Sequence, residues 1–331
     1  MAEANPQETL QQMAGGYCLP RCLHVVADLG VADELAGDAS RTVAQLAAAV
    51  GADADALGRV LRLLSAHSVF TSTSGGYAHS AASRLLRTDH PQSMRAFVRM
   101  FGLRSNWDIF GALDHSVRTG RPAADQVLPG GFWGHLAEHP EASAIFGEAM
   151  STKAQAHVPR IISAYDWSRR ERIGDIGGGR GHLLCAVLEA APQASGVLFD
   201  LPQVVASSAG IASARLAVQP GDFFKDSLPE CDTYLLMEVV HDWADVEAVA
   251  IVAAIRMAAR PQAKLLLIEQ IVPDDAGPHW TKFLDIHMMA FFGARQRTRQ
   301  EYEALLRSGG FAFNREIETG AGISILEATA V

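Results

Sequence analysis

The sequence predicts an α/β protein: a parallel sheet with helices on both faces in the second half, preceded by a smaller, mostly helical region. Three observations predict it. A glycine-rich turn joins an apolar strand to a helix at 172–184. Several of the apolar segments after it lead into an acid, at Asp200, Asp222 and Glu269. The first 70 residues or so, by contrast, are rich in Ala and Leu at helical spacing.

The turn reads Asp175-Ile176-Gly177-Gly178-Gly179-Arg180-Gly181-His182. Backbone without side chains adopts positive φ and admits a bulky ligand closely. The N–H groups opening the next helix favour negative or polar ligand groups. The dinucleotide pattern G-x-G-x-x-G fails, because counting from Gly177 places His182 sixth. A phosphate loop needs Lys-Ser/Thr after its last glycine, and His182 stands there instead. What remains is a nucleotide-like ligand without a polyphosphate.

The following strands narrow the ligand. The segment Val197-Leu198-Phe199-Asp200-Leu201-Pro202 closes on Asp200. That acid lies near the spacing of about 20 residues at which a second-strand carboxylate holds a ribose diol. A third strand around Leu216–Gln219 leads to Gly221-Asp222-Phe223, an acid beside an aromatic ring, which suits an adenine. Asp222 has a competing reading as a turn or cap residue. Together these point to an adenosine without a phosphate chain, such as S-adenosylmethionine.

The fourth strand, ending near Val240, runs into His241-Asp242-Trp243, and a fifth, Lys264–Ile268, ends in Glu269. Sites in such sheets lie at the carboxyl ends of the strands. Imidazole has an unperturbed pKa of about 6.5 and accepts a proton near neutrality. A carboxylate at Glu269 would orient it and stabilise its cation. Asp242 has a plainer reading as the cap of a helix starting near Asp245.

The set Asp-Ile-Gly-Gly-Gly-Arg-Gly, Phe-Asp-Leu-Pro, Gly-Asp-Phe-Phe, His-Asp-Trp, Leu-Ile-Glu and Arg297-Thr298 resembles the class I S-adenosylmethionine-dependent O-methyltransferases of the caffeate/hydroxyindole type. The likeness runs from about Gly16 to the end, and bacterial members of that family decorate aromatic natural products. It implies a Rossmann-like methyltransferase sheet and an N-terminal winged-helix-like dimerisation domain. The donor would be held by Asp175, Gly177, Gly179, Asp200 and Leu201, with Asp222 and Phe223 around its adenine, leaving S-adenosylhomocysteine as product. His241 would be the general base and Glu269 its partner. Two positions depart from many relatives: Met237 replaces a basic residue, and Gln296 replaces an acid just before Arg297-Thr298. An amide holds an imidazole by hydrogen bonding but cannot offset its positive charge.

The first half divides into an expected winged-helix-like domain over 1–90 and a helical linker over 91–165, ahead of the donor-binding domain at 166–331. Leu23, Val26 and Leu29, then Val43, Leu46 and Val50, then Leu57, Val60, Leu61 and Leu64 mark helical faces. Thr42 with Gln45 reads as a capping box, and 69–78 as a hairpin turning at Ser74-Gly75-Gly76. Residues 1–100 hold eight Arg, no Lys and nine Asp/Glu, so this module shows no basic face for DNA. Homodimerisation is the expected use of its surplus apolar helices. The resemblance places an acceptor pocket between the linker and the helix around 285–292. Met150 and Ser151 are expected near the donor methyl, and Asp242, His287, Phe291 and Gln296 around a flat aromatic acceptor.

Bulk properties bound the alternatives. The chain has 331 residues, 49% hydrophobic and 20% charged, with a formal charge of −9. That composition supports real cores and argues against a general nucleic-acid binder. No apolar run reaches the 18 or so residues of a membrane span. The start is polar and acidic, unlike a signal peptide. Cys18, Cys22, Cys185 and Cys231 lack zinc-ligand spacing and read as free thiols in a reducing cytosol; no metal is expected. The competing functions are C-methylation of an α-keto acid on an iron held by Asp242 with His241 or His287, a non-methylating donor-binding homologue, and a ligand-sensing winged-helix regulator.

Overall fold

The computed structural model describes residues 5–331, less the side chains of 207 and 209. The chain forms two compact units. The first contains the residues up to Asp108 together with Leu136–Lys153; the second contains Ile109–His135 and Ala154–Val331. The stretch 91–165 is thus shared between them.

In the first unit the helical periodicities of the sequence become Cys18–Leu29, Val43–Val50 and Ala54–Ala66. Thr42 caps the second of these in a reciprocal capping box with Gln45, as its S/T-x-x-Q spacing predicts. Val26, Leu46, Leu57, Leu61 and Leu64 turn inward to a core with Val31, Leu35 and Phe70. Leu29, at the last turn of its helix, is exposed instead. A hairpin of β1 (Phe70–Thr73) and β2 (Gly76–His79) follows. Gly76 opens β2 at φ +125°, and a Cβ there would collide with the Arg41 carbonyl, so glycine is required on both counts.

The second unit is built on a seven-stranded sheet. Its strands are β3 (Arg172–Ile176), β4 (Ser195–Asp200), β5 (Leu216–Pro220), β6 (Thr233–Met237), β7 (Lys264–Glu269), β8 (Phe311–Glu318) and β9 (Ser324–Ala330), in the order β5-β4-β3-β6-β7-β9-β8. The first five are parallel; β9 runs antiparallel to both β7 and β8. Five strands match the sequence reading; the β8/β9 edge was not foreseen. Leu265, Leu266, Leu267 and Ile268 are all fully buried, as a continuous apolar run requires when both faces of a parallel strand are covered. The chain leaves β3 toward β4 on one side and later returns to β6 on the other. That reversal opens a crevice at the carboxyl ends of β3 and β6. It collects the glycine turn, Asp200, the Gly221-Asp222 turn, the His241 loop and Glu269 along one edge.

Candidate active site

The glycine turn forms where β3 stops. Gly177, Gly179 and Gly181 lie at φ +68°, +58° and +77°, and Gly181 opens the helix His182–Ala190. A Cβ on Gly178 would sit 2.5 Å from the Asp175 carboxyl, so the turn is folded directly onto that acid. Over Gly179 the space is open. Asp175 is fully buried, and its Oδ2 has no hydrogen-bond partner. Burial, with the charge of Asp200 adding to it, pushes its pKa up to about 7.

Asp200, at the end of β4, accepts hydrogen bonds from the N–H of Gly179 at 2.8 Å and of Leu201 at 2.7 Å. It therefore braces the glycine turn as well as facing the crevice end of its strand; burial raises its pKa. Leu201 is exposed beside it. Asp222 behaves as the turn residue its competing reading describes: it accepts from the Phe224 N–H at 2.9 Å and pairs with Lys225 at 2.8 Å, which lowers its pKa. Phe223 packs edge-on against Phe224 and Trp243, and its Cε1 lies 3.9 Å from where a Gly177 Cβ would be. Val239 is its neighbour over the same glycine.

The chain leaves β6 through Glu238, a non-glycine residue at φ +53°, into the short turn Val240–Asp242. His241 is buried there. Glu269, completely buried at the end of β7, reaches across 28 residues of sequence. Its Oε1 accepts the N–H groups of Val240 and His241 at 3.0 and 3.4 Å. Its Oε2 lies 2.9 Å from His241 Nδ1, an off-axis contact of charges rather than an aligned hydrogen bond. Asp242 does not cap the helix Asp245–Ala258, which starts without a side-chain cap. Its Oδ1 sits 3.3 Å from His241 Nε2 instead. Burial alone would lower the pKa of His241; the Glu269 and Asp242 carboxylates outweigh it and raise it to about 10.

Arg297 holds this loop and was visible in the sequence only as half of a motif. Its guanidinium is buried and donates to the carbonyls of Val240, Trp243 and Arg295 and twice to Asp245 Oδ1, using all three nitrogens. The ring of Tyr302 lies beneath it. The sequence signal was local: Arg297 precedes Thr298, which with Glu301 forms the capping box of helix Arg299–Ser308 and fixes the turn. Gln296 is buried at 4% exposure; its N–H donates to Asp285, but both atoms of its amide lack partners.

Six rings gather in the same unit: Phe110, Phe132, Trp133, His287, Phe291 and Phe292. Trp133 stacks on Phe292 with centroids 5.2 Å apart, His287 stacks on Phe291, and Phe132 meets Phe291 and Phe292 edge-on. Nδ1 of His287 contacts the Phe283 carbonyl at 3.2 Å; a carbonyl only accepts, so Nδ1 carries the proton. Burial lowers its pKa. Met150 and Ser151 belong to the first unit, on helix Pro140–Ala164; Met150 packs at the edge of a cluster of Ala96, Met100, Ile145 and Ala149. Met237, at the end of β6, packs half-buried against the sheet core. Among the described residues, no group of three or more His, Cys, Asp or Glu is placed to hold a metal ion, and no helix is long and apolar enough to cross a membrane. The four cysteines are free thiols.

A turn of positive-φ glycines at the end of β3, with a buried imidazole between two carboxylates beyond the end of β6, marks the crevice of a doubly wound α/β protein as its site. The chain belongs to the O-methyltransferase family: residues 110–312 match its O-methyltransferase domain and residues 11–89 its dimerisation domain. It is 38% identical to a phenazine O-methyltransferase of Lysobacter antibioticus, over 97% of this chain and 96% of that one. The fold superimposes with a TM-score of 0.89 on human N-acetylserotonin methyltransferase in complex with S-adenosylmethionine, at 27% identity, covering 99% of both chains. It also matches an O-methyltransferase of neocarzinostatin biosynthesis, solved with S-adenosylmethionine and 2-hydroxy-5-methyl naphthoic acid, with a TM-score of 0.79 at 35% identity over 95% of this chain and 96% of that one. The protein is an S-adenosylmethionine-dependent methyltransferase. The residues present fit that donor: positive-φ glycines, open space over Gly179, and an unpartnered buried carboxylate oxygen on Asp175 beneath the turn.

Proposed function

We propose that this enzyme transfers a methyl group to a hydroxyl, phenolic in character, on a flat aromatic small molecule of natural-product biosynthesis. The single observation that carries the reading is the His241–Glu269 pair, 2.9 Å apart at the crevice end of the sheet. S-adenosylmethionine, when bound, supplies a methyl already activated on a sulfonium. The protein's own task is therefore to place an oxygen in line with that methyl and deal with its proton. A phenol with a pKa of about 10 is scarcely ionised at neutral pH. His241 serves as the group that takes the proton, and Glu269 balances the resulting charge. Asp175, Gly177, Gly179, Asp200 and Leu201 hold the donor, Phe223 and Asp222 border its adenine, and alignment supplies the rest of the rate.

The six-ring group supports a planar acceptor, with His287 and Phe291 as its walls and Asp242 and Gln296 as polar contacts. One relative is named for a phenazine and another for 2,7-dihydroxy-5-methyl-1-naphthoate, and a related structure was solved with 2-hydroxy-5-methyl naphthoic acid; such flat ring systems agree with this reading. The active form is a homodimer joined through the N-terminal domain. Incubation with methyl-labelled S-adenosylmethionine and a panel of phenolic polyketide, amino-acid-derived and indolic acceptors tests the reading. The expected product carries the label on an aryl oxygen by NMR; label on carbon throughout, or no transfer to any hydroxylated aromatic, overturns it.

A further inference from the structure

Gln296 is buried at 4% exposure, and neither atom of its amide has a hydrogen-bond partner among the described residues. Buried polar groups are nearly always paired, so two orphaned atoms on one side chain point to a partner that arrives with a ligand. The backbone that carries this amide is pinned on both sides. Gly293 and Ala294 donate to the Met289 and Met288 carbonyls, closing helix Trp280–Phe292. The Gln296 N–H donates to Asp285 on that helix at 2.9 Å. The Arg297 carbonyl accepts from the Val272 N–H, just past β7, at 3.0 Å. Gln296 is thereby set between two parts of the acceptor region. On one side is the helix of His287 and Phe291, which packs against the Val240–Asp242 turn. On the other is Arg297, bound to the carbonyls that flank His241.

The other polar side chains about this turn and helix accept or are spent. Ionised Asp242 and Glu269 only accept. His287 gives its Nδ1 proton to the Phe283 carbonyl, so its Nε2 accepts. Arg297 is committed to Asp245 and to three carbonyls. The Nε2–H of Gln296 is the donor of this set, and it is uncharged.

We infer that Gln296 selects the acceptor: its Nε2–H donates to a lone-pair atom, a carbonyl oxygen or a ring nitrogen, set beside the reacting hydroxyl, so that aryl hydroxyls flanked by such an atom are taken in preference to simple phenols. The inference rests on the O-methylation proposed above and names the acceptor that the same site takes. In solution such a hydroxyl is tied to its neighbouring lone pair by an internal hydrogen bond. That bond is lost when the hydroxyl proton passes to His241. The Gln296 N–H takes its place, so the lone pair stays paired in the buried site. A simple phenol leaves the buried N–H orphaned, and a site built around a buried donor rejects an analogue that cannot pair it.

The test compares two acceptors of one scaffold that the acceptor panel shows to be methylated. One has a ketone carbonyl beside the hydroxyl; the other has a methylene in place of that carbonyl. Calorimetry gives their affinities for the enzyme–S-adenosylhomocysteine complex, and label transfer gives kcat/KM. Wild-type enzyme is expected to bind the carbonyl compound about tenfold or more tightly than its analogue. Gln296→Met and Gln296→Leu keep bulk without hydrogen bonding, and each is expected to erase most of that preference while binding S-adenosylhomocysteine as before. The carbonyl also makes the hydroxyl more acidic, but that difference belongs to the pair of compounds and cancels between wild type and variant. Absence of any preference in the wild type overturns the inference. So does a preference retained in either variant, or an equal loss for both compounds, which is what a purely structural role gives. These results leave the O-methylation reading standing, whereas no transfer to any aryl hydroxyl overturns both.

Discussion

Arg297 donates from Nη1 to the carbonyl of Val240 at 3.1 Å, one residue ahead of His241. Its Nη2 reaches the Trp243 carbonyl, two residues beyond His241, at 2.9 Å. Glu269 meanwhile takes the N–H groups of Val240 and His241. The turn carrying the imidazole is thus gripped by its carbonyls from one side and by its amides from the other. A cation and an anion, each fully buried, divide the work.

Removing that grip should cost both stability and turnover. Arg297→Met leaves buried carbonyls unpaired, at about 1–3 kcal/mol for each unsatisfied group. Arg297→Lys keeps the charge but lacks the planar fork that reaches four partners. We expect the Lys variant to fold, to bind S-adenosylhomocysteine by calorimetry, and to lose about tenfold or more in kcat. Wild-type turnover in Arg297→Lys would deny the clamp any role in placing His241.

Glu269→Gln preserves shape and leaves Oε1 to receive the two backbone N–H groups. It removes only the charge facing Nδ1. We expect kcat to fall roughly 10²-fold with donor affinity unchanged. His241→Ala should lose activity by about 10²–10⁴-fold while still binding donor. The double variant should be little worse than His241→Ala alone, because the two act as a unit. Additive losses in steady-state kinetics would separate their roles.

Asp200→Ala removes the acceptor of the Gly179 N–H and a carboxylate at the end of β4. Donor affinity is expected to drop by about tenfold or more, the worth of a charge-assisted hydrogen bond. Turnover at saturating donor should change far less. Titration calorimetry with S-adenosylhomocysteine checks it; an unchanged dissociation constant would restrict Asp200 to bracing the turn.

Asp175 makes a prediction about pH. Its pKa is raised in the folded state from the ordinary value to about 7 by burial and by the neighbouring Asp200. A group raised on folding contributes stability below its unfolded pKa and loses it as pH rises through the folded value. Wild-type protein without donor should therefore lose stability relative to Asp175→Asn between about pH 4 and 7, with a constant difference above. Urea midpoints for both proteins at stepped pH values measure this; a difference independent of pH would show that the carboxyl does not titrate in that window.

The parts that were legible from sequence share a property. The capping box at Thr42/Gln45, the positive-φ glycines at 177, 179 and 181, and the five parallel strands all depend on residues close in the chain. Residue type and spacing suffice for them. The β8/β9 edge escaped notice because its alternation of polar and apolar residues is broken, with a register shift between Phe313 and Arg315. Asp222 carried two meanings in the sequence, and its contacts with Phe224 and Lys225 show that it serves its turn.

By itself the sequence determined that a strand must end in a glycine turn at 177–181 and that the early helices must bury one face. Each follows from φ/ψ limits and apolar periodicity acting over a few residues. Only the tertiary structure decided how charge is distributed around His241. Glu269 and Arg297 come from chain segments 28 and 56 residues away, and their effect depends on distances of 3 Å and on burial. Coulomb interactions are set by separation in space and by the surrounding dielectric, and neither is written in the order of the residues.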